Sequence, residues 1–255
     1  MKIVSYNVNG IRSAMNKGLV NWMQQDAADV YCFQETKASP EQVDQTLFNL
    51  IGYKSWWFSA EKKGYSGVAI FSRVQPTHVE FGFNDPEYDR EGRLIRADFG
   101  DLSVISVYIP SGTTGEERQG YKMEWLGYFG NYMAQLRKTR KQIVLCGDYN
   151  IAHHPIDIHD PVGNKKSSGF LPEEREWLSQ FLSAGWVDTY RELHPGIQKY
   201  SWWTFRAGAR AKNKGWRIDY NLVTDTLRDR VISADILNSV VHSDHCPVLV
   251  ELRHP

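Results

Sequence analysis

Short apolar runs separated by polar turns recur along the whole chain. Eight of them read as β-strands, over residues 2–8, 30–34, 66–72, 95–99, 103–108, 142–146, 217–223 and 248–252. Between them the hydrophobic spacing becomes helical. Ser39-Pro40-Glu41-Gln42 is a capping box with proline at the first helical position, followed by Val43, Leu47, Leu50 and Ile51 at helical spacing. A second helix is predicted over residues 121–136, with Trp125, Phe129, Tyr132, Met133 and Leu136 on one face. A third opens at Pro172-Glu173-Glu174 and carries Trp177, Leu178, Phe181 and Leu182. Strands at hairpin spacing with helices among them predict an α/β fold, a four-layered α/β sandwich of two packed, mostly antiparallel β-sheets flanked by helices. No Gly/Ser linker or low-complexity stretch divides the chain, so residues 1–255 read as a single domain. One internal echo stands out: Ser5-Tyr6-Asn7-Val8 and Asp148-Tyr149-Asn150-Ile151 each close an apolar strand. If each half of the chain supplies one sheet, these two strand ends meet at one edge.

Composition removes several classes. Thirty Lys and Arg balance thirty Asp and Glu, which argues against an indiscriminate polybasic binder of nucleic acid and leaves local patches open. With 42% hydrophobic and 24% charged residues, neither disorder nor a fibre is expected. The N-terminus turns polar within five residues, and no apolar run approaches the roughly 20 residues of a bilayer-spanning helix, so no membrane association is expected. Cys32, Cys146 and Cys246 sit at or beside short apolar runs without metal spacing, which predicts reduced, buried thiols in a cytoplasmic protein.

Polar residues able to do chemistry collect at strand ends. In the run that ends Gly147-Asp148-Tyr149-Asn150, side chains alternate, so Asp148 and Asn150 share a face; alone, the segment reads as an Asx-turn. Phe33-Gln34-Glu35 ends a strand in an acid. In Trp216-Arg217-Ile218-Asp219-Tyr220, Arg217 and Asp219 share a face, and a surface ion pair is the plain reading. Pro247 holds Cys246 extended and leaves Asp244 and His245 in a tight corner. Together Asn7, Glu35, Asp148, Asn150, Asp219, Asp244 and His245 offer oxygen donors suited to a hard cation such as Mg²⁺. They also offer an imidazole that a carboxylate can hold for phosphate contact or acid–base work. The combination reads as metal-assisted phosphodiester hydrolysis. Serine-hydrolase, P-loop, zincin and dinucleotide-binding motifs are absent, and His153-His154 is read as a structural or phosphate-side feature.

The stretch 200–219 carries Arg206, Arg210, Lys212, Lys214 and Arg217 with no acid before Asp219, interleaved with Trp202, Trp203, Phe205 and Trp216. Cations for phosphates beside aromatics for bases or sugars are what a nucleic-acid groove needs; the alternative is a solvated basic loop on core tryptophans. A second acid-free stretch, 161–170, contains Asn164, Lys165 and Lys166 and could cradle a phosphate. Lys62-Lys63-Gly64-Tyr65 is a shorter third candidate.

Eight segments in order carry a family resemblance: Ser5-Tyr6-Asn7-Val8-Asn9-Gly10-Ile11-Arg12, Gln34-Glu35-Thr36-Lys37, Gly64-Tyr65-Ser66-Gly67-Val68-Ala69, Tyr108-Ile109-Pro110, Gly147-Asp148-Tyr149-Asn150-Ile151-Ala152-His153, Gly163-Asn164-Lys165-Lys166, Gly215-Trp216-Arg217-Ile218-Asp219-Tyr220 and Ser243-Asp244-His245-Cys246-Pro247. Over essentially the whole chain the sequence resembles the exonuclease III-type apurinic/apyrimidinic (AP) endonucleases of base-excision repair, within the endonuclease/exonuclease/phosphatase superfamily. The resemblance implies one catalytic domain and a Mg²⁺-dependent AP endonuclease, with Mn²⁺ as a substitute ion. Such an enzyme cuts 5′ to an abasic site and leaves a 3′-hydroxyl and a 5′-deoxyribose phosphate, with 3′-phosphodiesterase and 3′–5′ exonuclease activity beside it.

It also implies roles for particular residues. Glu35 is the main metal ligand, helped by Asn7 and Asp244, with Asp148, Asn150 and His245 completing the metal set. Asp148 orients or deprotonates the attacking water with Asn150 beside it; Asp219 holds His245, which faces the phosphate together with Tyr108. Asn164, Lys165, Arg206, Arg210 and Lys212 contact DNA. Trp202, Trp216 and Ile218 line a pocket for an extrahelical abasic sugar, which leaves the stack at little unpairing cost. The expected partner is double-stranded DNA containing abasic sites or blocked 3′ ends, met by a monomer in the cytoplasm, nucleoid-associated in a bacterium. Four positions depart from the family pattern. Asn9 stands where some relatives carry a second acid, and Arg206 where some have an apolar wedge. Thr114 lies near where others insert an Arg, and Gly169 leaves space beside the phosphate loop. A phosphatase or phospholipase of the same fold would leave the basic aromatic loop without a job. A DNA-binding protein without catalysis would have lost one of Glu35, Asp148, Asp219 or His245, and all four are present.

Overall fold

The computed structural model describes residues 1–253. Its strands are β1 (Lys2–Asn7), β2 (Val30–Gln34), β3 (Lys54–Phe58), β4 (Val68–Ser72), β5 (His78–Phe81), β6 (Leu94–Phe99), β7 (Leu102–Tyr108), β8 (Gln142–Asp148), β9 (Trp186–Asp188), β10 (Asp219–Thr224), β11 (Val231–Ile236) and β12 (Val248–Leu252). The α-helices are α1 (Ile11–Asn16), α2 (Leu19–Asp26), α3 (Gln45–Leu50), α4 (Pro86–Asp89), α5 (Glu116–Thr139), α6 (Pro172–Ser183) and α7 (Thr189–Leu193).

Two six-stranded sheets result, ordered β11-β12-β1-β2-β4-β3 and β5-β6-β7-β8-β10-β9. Within each, one pair is parallel (β1 with β2, β7 with β8) and the remaining pairs are antiparallel. The two sheets therefore repeat one order, in which β1 corresponds to β7 and β2 to β8, so the internal echo, carried by β1 and β8, does not follow that repeat. The chain halves do not divide as the echo suggested. The first sheet takes β11 and β12 from the far end of the chain, because β12 pairs with β1 and closes that sheet.

All eight predicted strands form, and the four that periodicity missed (β3, β5, β9 and β11) are the sheet edges. An edge strand has one neighbour and is half solvated, so its apolar pattern is weak. Two boundaries move for local reasons. Ser66 and Gly67 adopt φ of 47° and 87°, which ends the extended run before β4. Arg217 gives its backbone N–H to the Asp157 carbonyl and stays outside the ladder, so β10 begins at Asp219. The helix predicted from Ser39 is broken: a 3₁₀ turn over Pro40–Gln42 stops at extended Val43, and Asp44 caps α3 afresh by accepting from the Thr46 N–H. Phe48 is the residue α3 buries, while Leu47 and Leu50 are exposed.

Helices cover the outer faces. Trp125, Phe129, Leu178 and Phe181 from α5 and α6 pack on Ile105, Val107, Ile143, Leu145 and Leu222 of the second sheet. Ile11, Ala14, Leu19, Met23 and Phe48 from α1, α2 and α3 pack on Val4, Tyr6, Tyr31, Phe33 and Phe71 of the first. The result is the four-layered sandwich. Between the sheets the alternating positions grade from apolar to polar along each strand. Ile3, Val30, Val104, Val144 and Val223 form the dry end; Ser5, Cys32, Ser106, Cys146 and Asn221 follow; Asn7, Gln34, Tyr108, Asp148 and Asp219 come last. One end of the sandwich is thereby built to hold polar chemistry. No helix among the described residues is long and apolar enough to cross a membrane.

Candidate active site

The second sheet lays three of the predicted residues side by side. Tyr108 ends β7, Asp148 ends β8 and Asp219 begins β10, and strand register sets Asp148 opposite both of the others. In-register neighbours point to the same face, so all three project toward the other sheet. From that sheet Asn7 comes off the end of β1, Glu35 follows β2, and His245 sits in the corner before β12.

These groups interlock. His245 Nδ1 lies 2.9 Å from Asp219 Oδ2, and its Nε2 lies 3.9 Å from Asp148 Oδ2. Ser201 Oγ donates to Asp219 Oδ2 at 2.6 Å and accepts from the N–H groups of Ile218 and Asp219. Asn7 Nδ2 donates to Glu35 Oε1 at 2.9 Å and to Asp148 Oδ2 at 2.8 Å, so one amide bridges the two carboxylates. The Asn150 N–H donates to Asp148 Oδ1 at 2.9 Å, while its Nδ2 is held by the Ile109 carbonyl. Lys37 pairs with Glu35 at 2.8 Å and donates to Asn9, which donates on to Asp244. Asn9, Glu35, Lys37 and Asn150 all have φ between 44° and 51°, a left-handed backbone that non-glycine residues rarely adopt. Strain of about 1–3 kcal/mol at each such residue, concentrated here, fits a region shaped for function.

Acids outnumber bases, and the protonation equilibria follow. Burial, then the Asp219 carboxylate, pushes Asp148 up to about 7, against the pull of His245. Burial opposes a charge on His245, but Asp219, Asp148 and Asp244 together outweigh it and raise the imidazole to about 10. Burial likewise opposes Glu35, yet Lys37 and the Asn7 amide hold it below the usual carboxylate range. Burial, reinforced by Glu35, drives the Tyr108 phenol well above its ordinary value. The buried Arg93 guanidinium lies 4.6 Å from the Tyr108 ring centre and donates to the Tyr108 carbonyl. Glu35, Asp148 and His245 bring one ligand atom each to within 4.8 Å of one another, an arrangement able to hold a metal ion.

Above this row opens a cavity of about 750 Å³, floored by Glu35, Tyr108, Asp148, Asn150 and His245 and walled by Trp202, Trp216, Ile218 and the 166–169 loop. Trp202 and Trp216 meet edge to face at 6.0 Å.

Residues 4–245 match the model of the "Endonuclease/Exonuclease/phosphatase family". The chain belongs to the endonuclease/exonuclease/phosphatase family. An exodeoxyribonuclease of Bacillus subtilis (strain 168) is 42% identical over 250 residues, covering 97% of this chain and 98% of that protein. The DNA repair nuclease APEX1 of Danio rerio is 40% identical over 255 residues, covering 99% of this chain and 82% of that protein. Among solved structures, an AP endonuclease from Archaeoglobus fulgidus superposes with a TM-score of 0.89 at 35% identity, with both chains fully covered.

The candidate site gathers most, but not all, of the residues expected from the sequence. Asn7, Glu35, Tyr108, Asp148, Asn150, Asp219 and His245 converge, and Trp202, Trp216 and Ile218 wall the cavity. Asp244 also lines it, but both its oxygens already accept hydrogen bonds, Oδ1 from Asn9 and Ser243 and Oδ2 from Trp202. Asn164 turns its amide into its own loop, toward the carbonyls of His159 and Asp160 and the Ser167 hydroxyl, and Lys166 lines the cavity where Asn164 and Lys165 do not. Arg210 is spent on the carbonyls of Ser243, Asn238 and Val240 and stacks on Trp203, so it serves the fold. Arg206 and Lys212 are exposed. Gly169 offers no open space: a Cβ there would stand 3.0 Å from the Asn150 carbonyl and from the Trp216 ring. Arg217 and Asp219 do not pair; Arg217 is buried against Asp157 and Asp188 instead. His153 is buried, bonds Ser179 and serves structure. Sequence reading missed Ser201 and Arg93 because each acts through a contact with a distant strand. Lys37 lies inside a segment that carries the family pattern and was visible there.

Proposed function

We propose that this chain is a Mg²⁺-dependent AP endonuclease, with 3′-phosphodiesterase and 3′–5′ exonuclease activity at the same site. We propose further that residues 1–255 act as one catalytic domain and as a monomer in the cytoplasm. The observation that carries the reading is the Glu35–Asp148–His245–Asp219 row on the floor of a cavity whose far wall is Trp202, Trp216 and Ile218. The donor set fits a hard divalent cation. Glu35, Asp148, Asp219 and Asp244 have Lys37 and His245 as direct ionic partners, and Asp148 is raised by burial and then by the Asp219 carboxylate. Glu35 would hold the ion, with Asp148 and the Asn7 amide beside it, since an imidazole protonated up to about 10 is a poor ligand. When bound, Mg²⁺ supplies charge neutralisation for the phosphate oxygens.

The chain's own groups then divide the work. Asp148, poised near 7 with both oxygens positioned by Asn7 and the Asn150 N–H, takes a proton from the attacking water. The His245 imidazolium, held by Asp219, offers Nε2–H to a phosphate oxygen as charge builds there, and the Tyr108 hydroxyl joins it. Water adds to phosphorus, the bond to the upstream 3′ oxygen breaks, and that oxygen takes a proton from solvent to become a 3′-hydroxyl, while the phosphate stays on the abasic sugar and Asp148 returns its proton to solvent. The tryptophan wall admits a sugar without its base. Lys166, Arg206 and Lys212 are the candidates for backbone phosphates. A duplex carrying one tetrahydrofuran abasic analogue tests this: we expect one cut 5′ to the analogue with Mg²⁺ and none in EDTA. A cut that survives EDTA, or no cut with Mg²⁺, would end the proposal.

A further inference from the structure

Behind the cavity lies an ion pair that the proposed chemistry does not use. Lys122 of α5 and Glu174 of α6 are both fully buried, with Lys122 Nζ 2.6 Å from Glu174 Oε1. In sequence Glu174 reads as the acidic first turn of a helix, and it does accept the Leu171 N–H at 3.0 Å. Its remaining partners go well beyond a cap. Oε2 also takes the Gly169 N–H at 2.6 Å, and Oε1 takes Gln119 Nε2 at 3.1 Å and Ser168 Oγ at 3.3 Å. One carboxylate thus gathers five donors, three of them from the loop that walls the cavity. Lys122 reaches the other way, donating to the Asn150 carbonyl at 2.8 Å. Asn150 is the left-handed residue whose N–H holds Asp148 Oδ1. The Ala152 N–H donates to the Gly169 carbonyl at 2.7 Å, so the two segments are also stitched directly.

Stability alone does not account for such a pair. Desolvating two charges offsets most of their attraction, and apolar replacement of a buried pair is often neutral or stabilising. What the pair does add is register between two cavity walls, and misplacement by about 1 Å can cost 10²-fold in rate.

We propose that Lys122 and Glu174 are a positioning pair: they lock the 168–171 wall to the Asp148–Asn150 turn, so that substrate resting on that wall meets Asp148 in a fixed register. The inference rests on the hydrolytic function proposed above. Neither residue touches substrate; both act through Asn150 and the loop.

The test compares Lys122→Met, Glu174→Gln and the double variant in the full-length protein, measuring kcat on the abasic-analogue duplex with Mg²⁺, Kd for that duplex by anisotropy, and the urea midpoint. Lys122→Met strands a buried carboxylate and should lower the midpoint. The double variant removes both charges and should recover most of it. Positioning predicts that the double variant still turns over about 10- to 100-fold more slowly, with Kd within about 3-fold of wild type. Recovery of kcat together with stability would overturn the inference, as would a loss confined to Kd. Should the double variant fail to fold, Glu174→Gln alone reads the same split between kcat and Kd. The wild type alongside separates the two proposals. No incision by wild type strikes at the function, whereas equal kcat in wild type and double variant strikes at the positioning pair.

Discussion

Arg217 and Asp219 are two residues apart, yet they belong to two buried charge clusters of opposite character. Arg217 joins Asp157 and Asp188, with Arg191 sharing the Asp157 Oδ1 oxygen, so cations and carboxylates match. Burial alone would raise Asp157, but Arg217 and Arg191 draw it down to about 2. Asp219 joins Asp148, Glu35 and His245, where carboxylates are in excess, and burial, then Asp219, pushes Asp148 up to about 7. A matched cluster is satisfied in the folded chain and serves structure. An unmatched one stays frustrated until a cation and a phosphate arrive, and perturbed acids of that kind gather at working sites.

The comparison breaks most sharply at Asp148. Asp148→Asn should lower kcat/KM for abasic-site incision by about 10²- to 10⁴-fold while leaving the urea midpoint unchanged or higher, because a carboxyl leaves an acid-rich site. A large loss of stability with intact activity would reverse the assignment of the two clusters. Arg217→Met should do the opposite. It leaves Asp157 and Asp188 buried without their cation and should cost about 3–5 kcal/mol in urea unfolding, with the folded fraction retaining far more activity than Asp148→Asn.

pH sharpens the contrast. Burial, then neighbouring His154, lowers His153 from 6.5 to about 4, so the unfolded chain binds more protons across that window. Stability is therefore present above pH 6.5 and is lost as pH falls toward 4, by up to about 3 kcal/mol. His153→Gln should flatten that limb of a stability–pH curve; an unaltered limb would assign it to another group. The smallest effect separates inward from outward cations. Lys212→Ala should reduce the salt slope of DNA binding by about one, whereas Arg210→Ala should lower stability and leave the slope unchanged. An unchanged slope in Lys212→Ala would place Lys212 off the DNA path.

Several features were legible because they are local. The eight inner strands follow from alternation that a central position enforces on both faces, and the gradient toward Asn7, Tyr108, Asp148 and Asp219 lies within single strands. Family motifs pointed to the same residues. Edge strands were not legible, and neither was the break at Asp44, where a second cap interrupts an otherwise helical spacing. Nor was the division of the basic stretch, because Arg206, Arg210, Lys212 and Arg217 read alike as cations in a row. Only their partners, three carbonyls for Arg210 and two carboxylates for Arg217, set them apart.

By itself the sequence determined the layer architecture, the strand ends that carry chemistry and the family, since periodicity and short motifs need only neighbours in the chain. The tertiary structure alone decided which charges are matched. That depends on distances between residues such as Arg217 and Asp157, or Lys122 and Glu174, which packing brings together across about 50 to 60 positions of chain. Electrostatic energy falls with separation in space and takes no account of separation in sequence. The same aspartate can therefore be a strut in one cluster and, as we propose for Asp148, a base in the other.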